Sequence, residues 1–113
     1  MAFVRVYTGE DGNSHFEEMT LESHPFMAEM STATGVQFRS QEPGYFSDWH
    51  NAPRRQYVIT LAGEAEIGIQ DGTLRRFGPG DVLLADDTTG KGHSTRVTSS
   101  EKRYSVFIPI SGD

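Results

Sequence analysis

The chain has four histidines and no cysteine, so imidazole is its side chain best suited to proton transfer or metal binding. The absence of cysteine excludes disulfides, thiolate metal sites and cysteine nucleophiles. No Gly-x-Ser-x-Gly segment marks a serine nucleophile, and Gly90-Lys91 lacks the flanking residues of a phosphate-binding loop. Because imidazole titrates nearest neutral pH, two histidines in one cavity can act on a bound molecule as acid and base.

The elements that would hold such a cavity are short strands. Twelve glycines and five prolines in 113 residues favour tight turns over helices. Asp71-Gly72 is typical of a two-residue hairpin turn, and Gly78-Pro79-Gly80-Asp81 fits a type II turn. Turn signals recur at short intervals along the chain, which predicts an all-β sandwich or barrel.

The longest predicted strand runs from Gln56 to Ile69. One face of this strand is apolar throughout, whereas the other changes from Val58 and Thr60 to Glu64 and Glu66. Such a strand would begin inside a cavity and end in solvent. Further strands are predicted over 3–8, 96–98 and 104–110, and the irregular stretch 21–34 is predicted as a loop or a short helical turn.

Two segments carry motifs that resemble the cupin superfamily. The first, at about 44–63, has a glycine, a gap, His50 and a later glycine. The second, at about 72–97, has a glycine, a gap, Pro79-Gly80-Asp81 and then His93. The order of the motifs and the predicted hairpin between them match the small single-domain cupins. The resemblance implies that 1–113 form one cupin domain, a conical β-barrel of the double-stranded β-helix (jelly-roll) type with the site in its wide mouth.

The resemblance also implies a metal site, from which this chain departs at two positions. Cupins typically bind one divalent metal through two histidines and a glutamate of the first motif and a histidine of the second. His50 and His93 match the first and last ligands, whereas Ala52 replaces the second histidine and Gln56 the glutamate. A neutral amide offsets none of a cation's charge. The chain is therefore expected to hold either a reduced centre of His50, Gln56 and His93 with zinc, nickel, manganese or iron, or no metal.

Without a metal, His50 and His93 are the candidate catalytic residues, acting as acid and base in the enolisation of a carbonyl compound. Residues expected to bind the substrate are Val58, Thr60 and Thr95, by strand alternation, and Trp49, Tyr57 and Arg54, by stacking or charge. In the loop before His93, Asp86 or Asp87 either orients the imidazole or caps backbone amides. His15, on an early strand, is a further candidate for the site.

Charge narrows the range of partners. Acidic residues outnumber basic ones by 16 to 10, and the net charge of −6 disfavours nucleic acid and anionic membranes. The first residues lack an apolar leader, so a cytoplasmic protein is expected. A small molecule is the expected ligand. A homodimer is expected too, formed by pairing or exchange of the terminal strands 3–8 and 104–110 as edges.

Three functions are compatible with these patterns. The first is an isomerase, cyclase or dehydratase that uses the two histidines with or without a metal. The second is a metal-dependent dioxygenase, which the missing histidine and glutamate disfavour because non-haem iron normally binds two histidines and a carboxylate. The third is a ligand-binding or sensor domain without catalysis, in which Ala52 and Gln56 would have replaced the ligands of a site that has degenerated.

Overall fold

The computed structural model describes residues 1–111 as two β-sheets that enclose an apolar core. Its strands are β1 (Phe3–Thr8), β2 (Ser14–Met19), β3 (Gln37–Gln41), β4 (Phe46–His50), β5 (Gln56–Ala62), β6 (Ala65–Gly68), β7 (Leu74–Phe77), β8 (Val82–Asp86), β9 (His93–Val97) and β10 (Arg103–Pro109). One turn of 3-10 helix spans Pro25–Ala28. The all-β architecture predicted from the turn spacing is confirmed.

The strands form a six-stranded sheet, β2-β1-β8-β5-β10-β3, and a four-stranded sheet, β4-β9-β6-β7. Neighbouring strands are antiparallel except β1 and β8, which run parallel. Val6, Val58 and Leu83 of the larger sheet belong to the same buried cluster as Ile67 and Phe77 of the smaller one. The core therefore lies between the sheets, as in a sandwich that closes into a barrel.

The single strand predicted over 56–69 is wrong, because β5 and β6 belong to different sheets. Gly63 lies between them with φ +73°. A Cβ at this position would lie 2.6 Å from the carbonyl oxygen of Lys102 and 2.8 Å from Cα of Arg103. The chain thus passes from one sheet to the other at a point where two backbone segments approach too closely for a side chain. Hydrophobic alternation continues across such a turn and does not reveal it.

The outer face of the six-stranded sheet is covered by the connection from β2 to β3. Leu84, on β8, is fully buried there in a second cluster with Met19 and Ile110. Phe26 and Met27 of the 3-10 turn pack against this cluster. The segment predicted as a loop or short helical turn therefore acts as the cover of a β-sheet that would otherwise expose apolar side chains.

The terminal strands β1 and β10 lie inside the six-stranded sheet, with a neighbour on each side. The expectation that they present free edges is therefore wrong. The edges among the described strands are β2, β3, β4 and β7, and the homodimer itself stays a prediction. No helix within 1–111 combines the length and apolarity needed to cross a lipid bilayer.

Replacement of Gly63 by alanine tests the close approach between the β5–β6 connection and the backbone of Lys102 and Arg103. We expect Gly63→Ala to lower the free energy of unfolding by about 3 kcal/mol or more, because a positive φ and a backbone clash both oppose the new Cβ. Gly72→Ala is the matched control, since Gly72 has φ +91° but open space around it. Its cost should be about 1–2 kcal/mol. Urea denaturation measures both values, and equal losses would contradict the close approach.

Candidate functional site

A cavity of about 340 Å³ lies between the two sheets and receives side chains from both. This volume is at the lower end of the range for small-molecule sites. The six-stranded sheet contributes Arg39, Gln41, Gln56, Val58, Leu83 and Arg103, and the four-stranded sheet contributes Ser47, His50, Ile67, His93 and Thr95. Both predicted histidines and the predicted amide therefore line one cavity.

His50 and His93 come together because their strands pair. The two residues are opposite each other on β4 and β9, after a register irregularity that begins at Ser47. Their ring centroids are 4.5 Å apart, with the ring planes inclined at 62°. Gly92 has φ +77° and packs against the backbone of His50, where a Cβ would collide with the carbonyl group. The glycine before His93 thus permits the approach of the two histidine-bearing segments.

The ring of His50 is held through Nδ1. This atom lies 2.7 Å from the backbone oxygen of Asp48 and 3.2 Å from Oγ of Ser47. A carbonyl oxygen only accepts hydrogen bonds, so Nδ1 carries the proton and donates it. In the neutral ring Nε2 then keeps its lone pair, which is the arrangement that a proton acceptor requires.

The ring of His93 is held by a buried carboxylate. Its Nδ1 lies 2.6 Å from Oδ2 of Asp87, and Oγ of Ser14 donates to the same oxygen at 2.8 Å. Asp87 is 0% exposed and His93 is 5% exposed. The Nδ1–H donor is thereby fixed on the carboxylate side, which leaves Nε2 for a ligand. Asp86 lies on the opposite face and pairs with Arg5 instead.

Asp87 also fixes the loop that carries Ala52. The backbone oxygen of Asp87 accepts a hydrogen bond from the amide of Ala52 at 3.1 Å and from the side-chain amide of Asn51 at 3.4 Å. Ala52 is 4% exposed and lines the cavity. An apolar methyl group therefore occupies the position at which the sequence resemblance implies a second histidine ligand.

Gln56 is buried at the cavity wall, at 4% exposure. Its Oε1 has no hydrogen-bond partner among the described residues. A buried acceptor without a partner costs free energy, so a ligand that donates a hydrogen bond to this oxygen would be stabilised.

The other predicted substrate-binding residues divide into two groups. Val58 and Thr95 line the cavity, and Thr60 is buried on the same face of β5 as Val58, where it accepts a hydrogen bond from Arg103. Trp49, Tyr57, Arg54 and His15 are not among the lining residues.

The prediction that Trp49 and Tyr57 line the cavity is wrong, and strand alternation explains why. The same alternation that turns His50 and Gln56 inward turns their neighbours outward. Trp49 is 52% exposed, and Tyr57 packs against the cluster under the β2–β3 connection. Arg54 is an exposed loop residue, and a hydrogen bond of 3.0 Å joins His15 to Asp11.

Among the cavity residues that sequence reasoning missed, two carry a charge, Arg103 and Arg39. Arg103 is 4% exposed and donates to Oγ1 of Thr60 at 3.1 Å and to Oε1 of Gln41 at 3.3 Å. Burial, and to a lesser extent the charge of Arg39, lowers the pKa of Arg103 to about 10. The predicted last strand began at residue 104. Extended by one residue, its alternation would have placed Arg103 on the inward face with Phe107.

The donor set and the charge of the cavity fit a divalent metal poorly. No aspartate or glutamate lines the cavity, while two guanidinium groups do. No cluster of three His, Cys, Asp or Glu side chains within 1–111 has the geometry of a metal site. His50, His93 and Gln56 would supply three neutral donors beside fixed positive charge, which opposes the binding of a dication.

No protein-family model and no curated protein matches this chain. Several solved structures do match, and the three described next each have a TM-score of 0.54. A cupin domain from Bordetella pertussis is 18% identical over 74% of this chain and 93% of its own. A cupin superfamily protein from Desulfitobacterium hafniense is 18% identical over 74% of this chain and 75% of its own. The DMSP lyase DddQ from Ruegeria pomeroyi is 23% identical over 69% of this chain and 38% of its own. At these identities the likeness establishes the fold, and the chain is a small protein with the cupin fold.

Proposed function

We propose that the chain is an enzyme that transfers protons on a small carbonyl compound, as an isomerase, cyclase or dehydratase. The observation that carries this proposal is the pair His50 and His93, whose ring centroids lie 4.5 Å apart in a cavity of ligand size. Each ring is fixed through Nδ1 by an acceptor, so each keeps Nε2 for chemistry.

The proton balance of the step follows from these two rings. Nε2 of neutral His50 accepts a proton from the carbon beside the carbonyl, and Nε2 of protonated His93 donates one to the carbonyl oxygen. The product is an enol, and both protons are accounted for. When the α-carbon bears a hydroxyl, the intermediate is an enediol: His50 returns its proton to the former carbonyl carbon, His93 takes back the proton of the α-hydroxyl, and an isomerisation is complete. When the β-carbon bears a hydroxyl, His50 donates its proton to that group, which leaves as water, while the enol proton returns to His93 and completes a dehydration. The apolar walls formed by Val58, Ile67 and Leu83 limit the access of water to the enol.

Deuterium exchange tests the proposal without knowledge of the natural substrate. In D₂O we expect the protein to exchange the α-hydrogens of a fitting member of a set of 2-oxo acids and hydroxyketones, as followed by proton NMR. His50→Gln and His93→Gln should each slow this exchange by at least about 100-fold, because each removes one partner of the proton transfer. His15→Gln, which alters a histidine outside the cavity lining, is the control.

Two results would contradict the enzymatic proposal. One is exchange that survives both cavity substitutions, which would place the chemistry elsewhere. The other is thermal stabilisation by a compound of the set without any exchange, which would identify a binding or sensor domain.

Asp87→Asn tests how the carboxylate positions His93. An asparagine amide would donate to Nδ1 and thereby move the proton of the neutral ring to Nε2, with little change in shape, and it would no longer stabilise the protonated imidazole from which the proposed step starts. We expect ¹⁵N NMR of His93 to show this change of tautomer, and kcat of the exchange reaction to fall at least about 100-fold with KM nearly unchanged. An unchanged tautomer would mean that Asp87 is not what orients the ring.

Gln56→Glu tests whether the lack of an anionic ligand is what weakens metal binding in the cavity. A carboxylate at this position would restore an anionic ligand, so we expect zinc to bind at least about tenfold more tightly than to the wild type, by calorimetric titration. Addition of His50→Ala should abolish the gain if the metal sits beside the imidazoles. Near-stoichiometric metal in wild-type protein purified without a histidine tag, lost on His50→Ala and His93→Ala, would instead support the reduced metal centre.

A further inference from the structure

The cavity contains a buried positive charge that no protein carboxylate neutralises. Arg103 is 4% exposed, and its two hydrogen-bond acceptors, Thr60 and Gln41, are both neutral. Nε of Arg103 is buried without a partner among the described residues. Within 1–111 no aspartate or glutamate lies within salt-bridge distance of this guanidinium.

A second arginine lies beside it on the next strand. β10 and β3 are antiparallel, with Arg103 opposite Gln41 and Ser105 opposite Arg39. Arg39 and Arg103 are therefore diagonal neighbours on one face of the sheet, with Cβ atoms about 7–8 Å apart. The guanidinium of Arg39 lies 4.8 Å from the ring centre of Phe107 and lines the same cavity. Within the described residues it too forms no ion pair with a carboxylate.

Two neighbouring cations, one of them buried, are unfavourable for the empty protein. Burial of a charge without a counter-ion costs free energy, and like charges add to that cost. The lowered pKa of Arg103 has these same two causes. The chain as a whole carries a charge of −6, so carboxylates are abundant elsewhere and yet none lines this cavity. Such an arrangement is expected where a ligand supplies the missing negative charge.

We infer that Arg103, with Arg39, binds the anionic group of the substrate, a carboxylate or phosphate carried by a small carbonyl compound. This inference rests on the proposed proton-transfer function for the other end of the ligand. The arginines belong to the six-stranded sheet and the two histidines to the four-stranded sheet. A molecule held at its anionic end by a guanidinium fork thus places its neighbouring carbon against the imidazoles. The buried Oε1 of Gln56 is available to accept a hydrogen bond from a hydroxyl group of the same molecule.

Calorimetric titration with pyruvate, inorganic phosphate and neutral hydroxyacetone tests this assignment. At least one of the two anions should bind wild-type protein and raise its melting temperature, and hydroxyacetone should bind at least tenfold more weakly. The anion that binds more tightly identifies the carboxylate or the phosphate as the natural group. Equal affinity for hydroxyacetone, or no binding of either anion at millimolar concentration, would overturn the inference.

Arg103→Met and Arg54→Met form the matched pair of variants. Arg54 is an exposed arginine outside the cavity lining, so its loss should leave anion affinity unchanged. Arg103→Met should lower the affinity at least tenfold while the melting temperature of the free protein stays the same or rises, because an uncompensated charge has been removed. A fall in melting temperature with unchanged anion affinity would assign Arg103 a structural role instead.

Two further variants separate the possible failures. Arg103→Lys keeps the positive charge but loses the paired N–H donors of the guanidinium group, so it should bind the anion with intermediate affinity. This variant tests the site even if Arg103→Met does not fold. The double variant His50→Gln, His93→Gln should retain anion binding, since the anionic group is held by the opposite sheet. Anion binding without α-hydrogen exchange in the wild type would support the arginine site and contradict only the proton-transfer chemistry.

Discussion

The site depends on one buried carboxylate. Asp87 is fully enclosed, and its side chain accepts hydrogen bonds from Ser14 of β2 and His93 of β9, while its backbone holds the loop around Ala52. Three segments that are distant in sequence are thereby fixed by a single residue. Both side-chain hydrogen bonds end on Oδ2, while Oδ1 is buried without a partner among the described residues. Because desolvation of a carboxylate is costly, the contacts that position His93 also offset part of the cost of burying Asp87.

The two sheets give the cavity two chemically different walls. One wall presents imidazole rings on strands β4 and β9, and the other presents guanidinium groups on β3 and β10. Apolar side chains such as Leu83 and Ile67 line the same cavity. Under the proposed function, such a cavity would orient a small molecule by charge at one end and leave the other end for proton transfer. Under the same proposal, Ala52 and Gln56, at the positions where the resemblance implies histidine and glutamate, would suit an anionic ligand better than a metal cation.

Turn spacing predicted the all-β fold class, the cupin resemblance implied that His50 and His93 share one site, and strand alternation predicted the inward side chains of Val58 and Thr95. The same alternation, applied to Trp49 and Tyr57, would have excluded them, since each directly neighbours an inward residue. Asp87 and Asp86 could not be told apart, because the end of β8 decides which one faces His93. Arg103 was missed because the predicted strand began one residue too late; alternation could have turned its side chain inward, but its burial depends on the three-dimensional enclosure, since a charged residue at a strand end is usually solvated.

The parallel pairing of β1 with β8 has a consequence for how the chain folds. The amide of Ala2 donates to Asp81, and the guanidinium of Arg5 to Asp86, across 79 and 81 residues of sequence. The hairpin of β1 and β2 therefore lacks its docking strand until the chain has been synthesised as far as β8. Contacts of such large sequence separation slow folding, since the entropy of closing the loop is lost before the contacts compensate for it. Until β8 is present, β1 keeps an unpaired edge that can pair with strands of other chains.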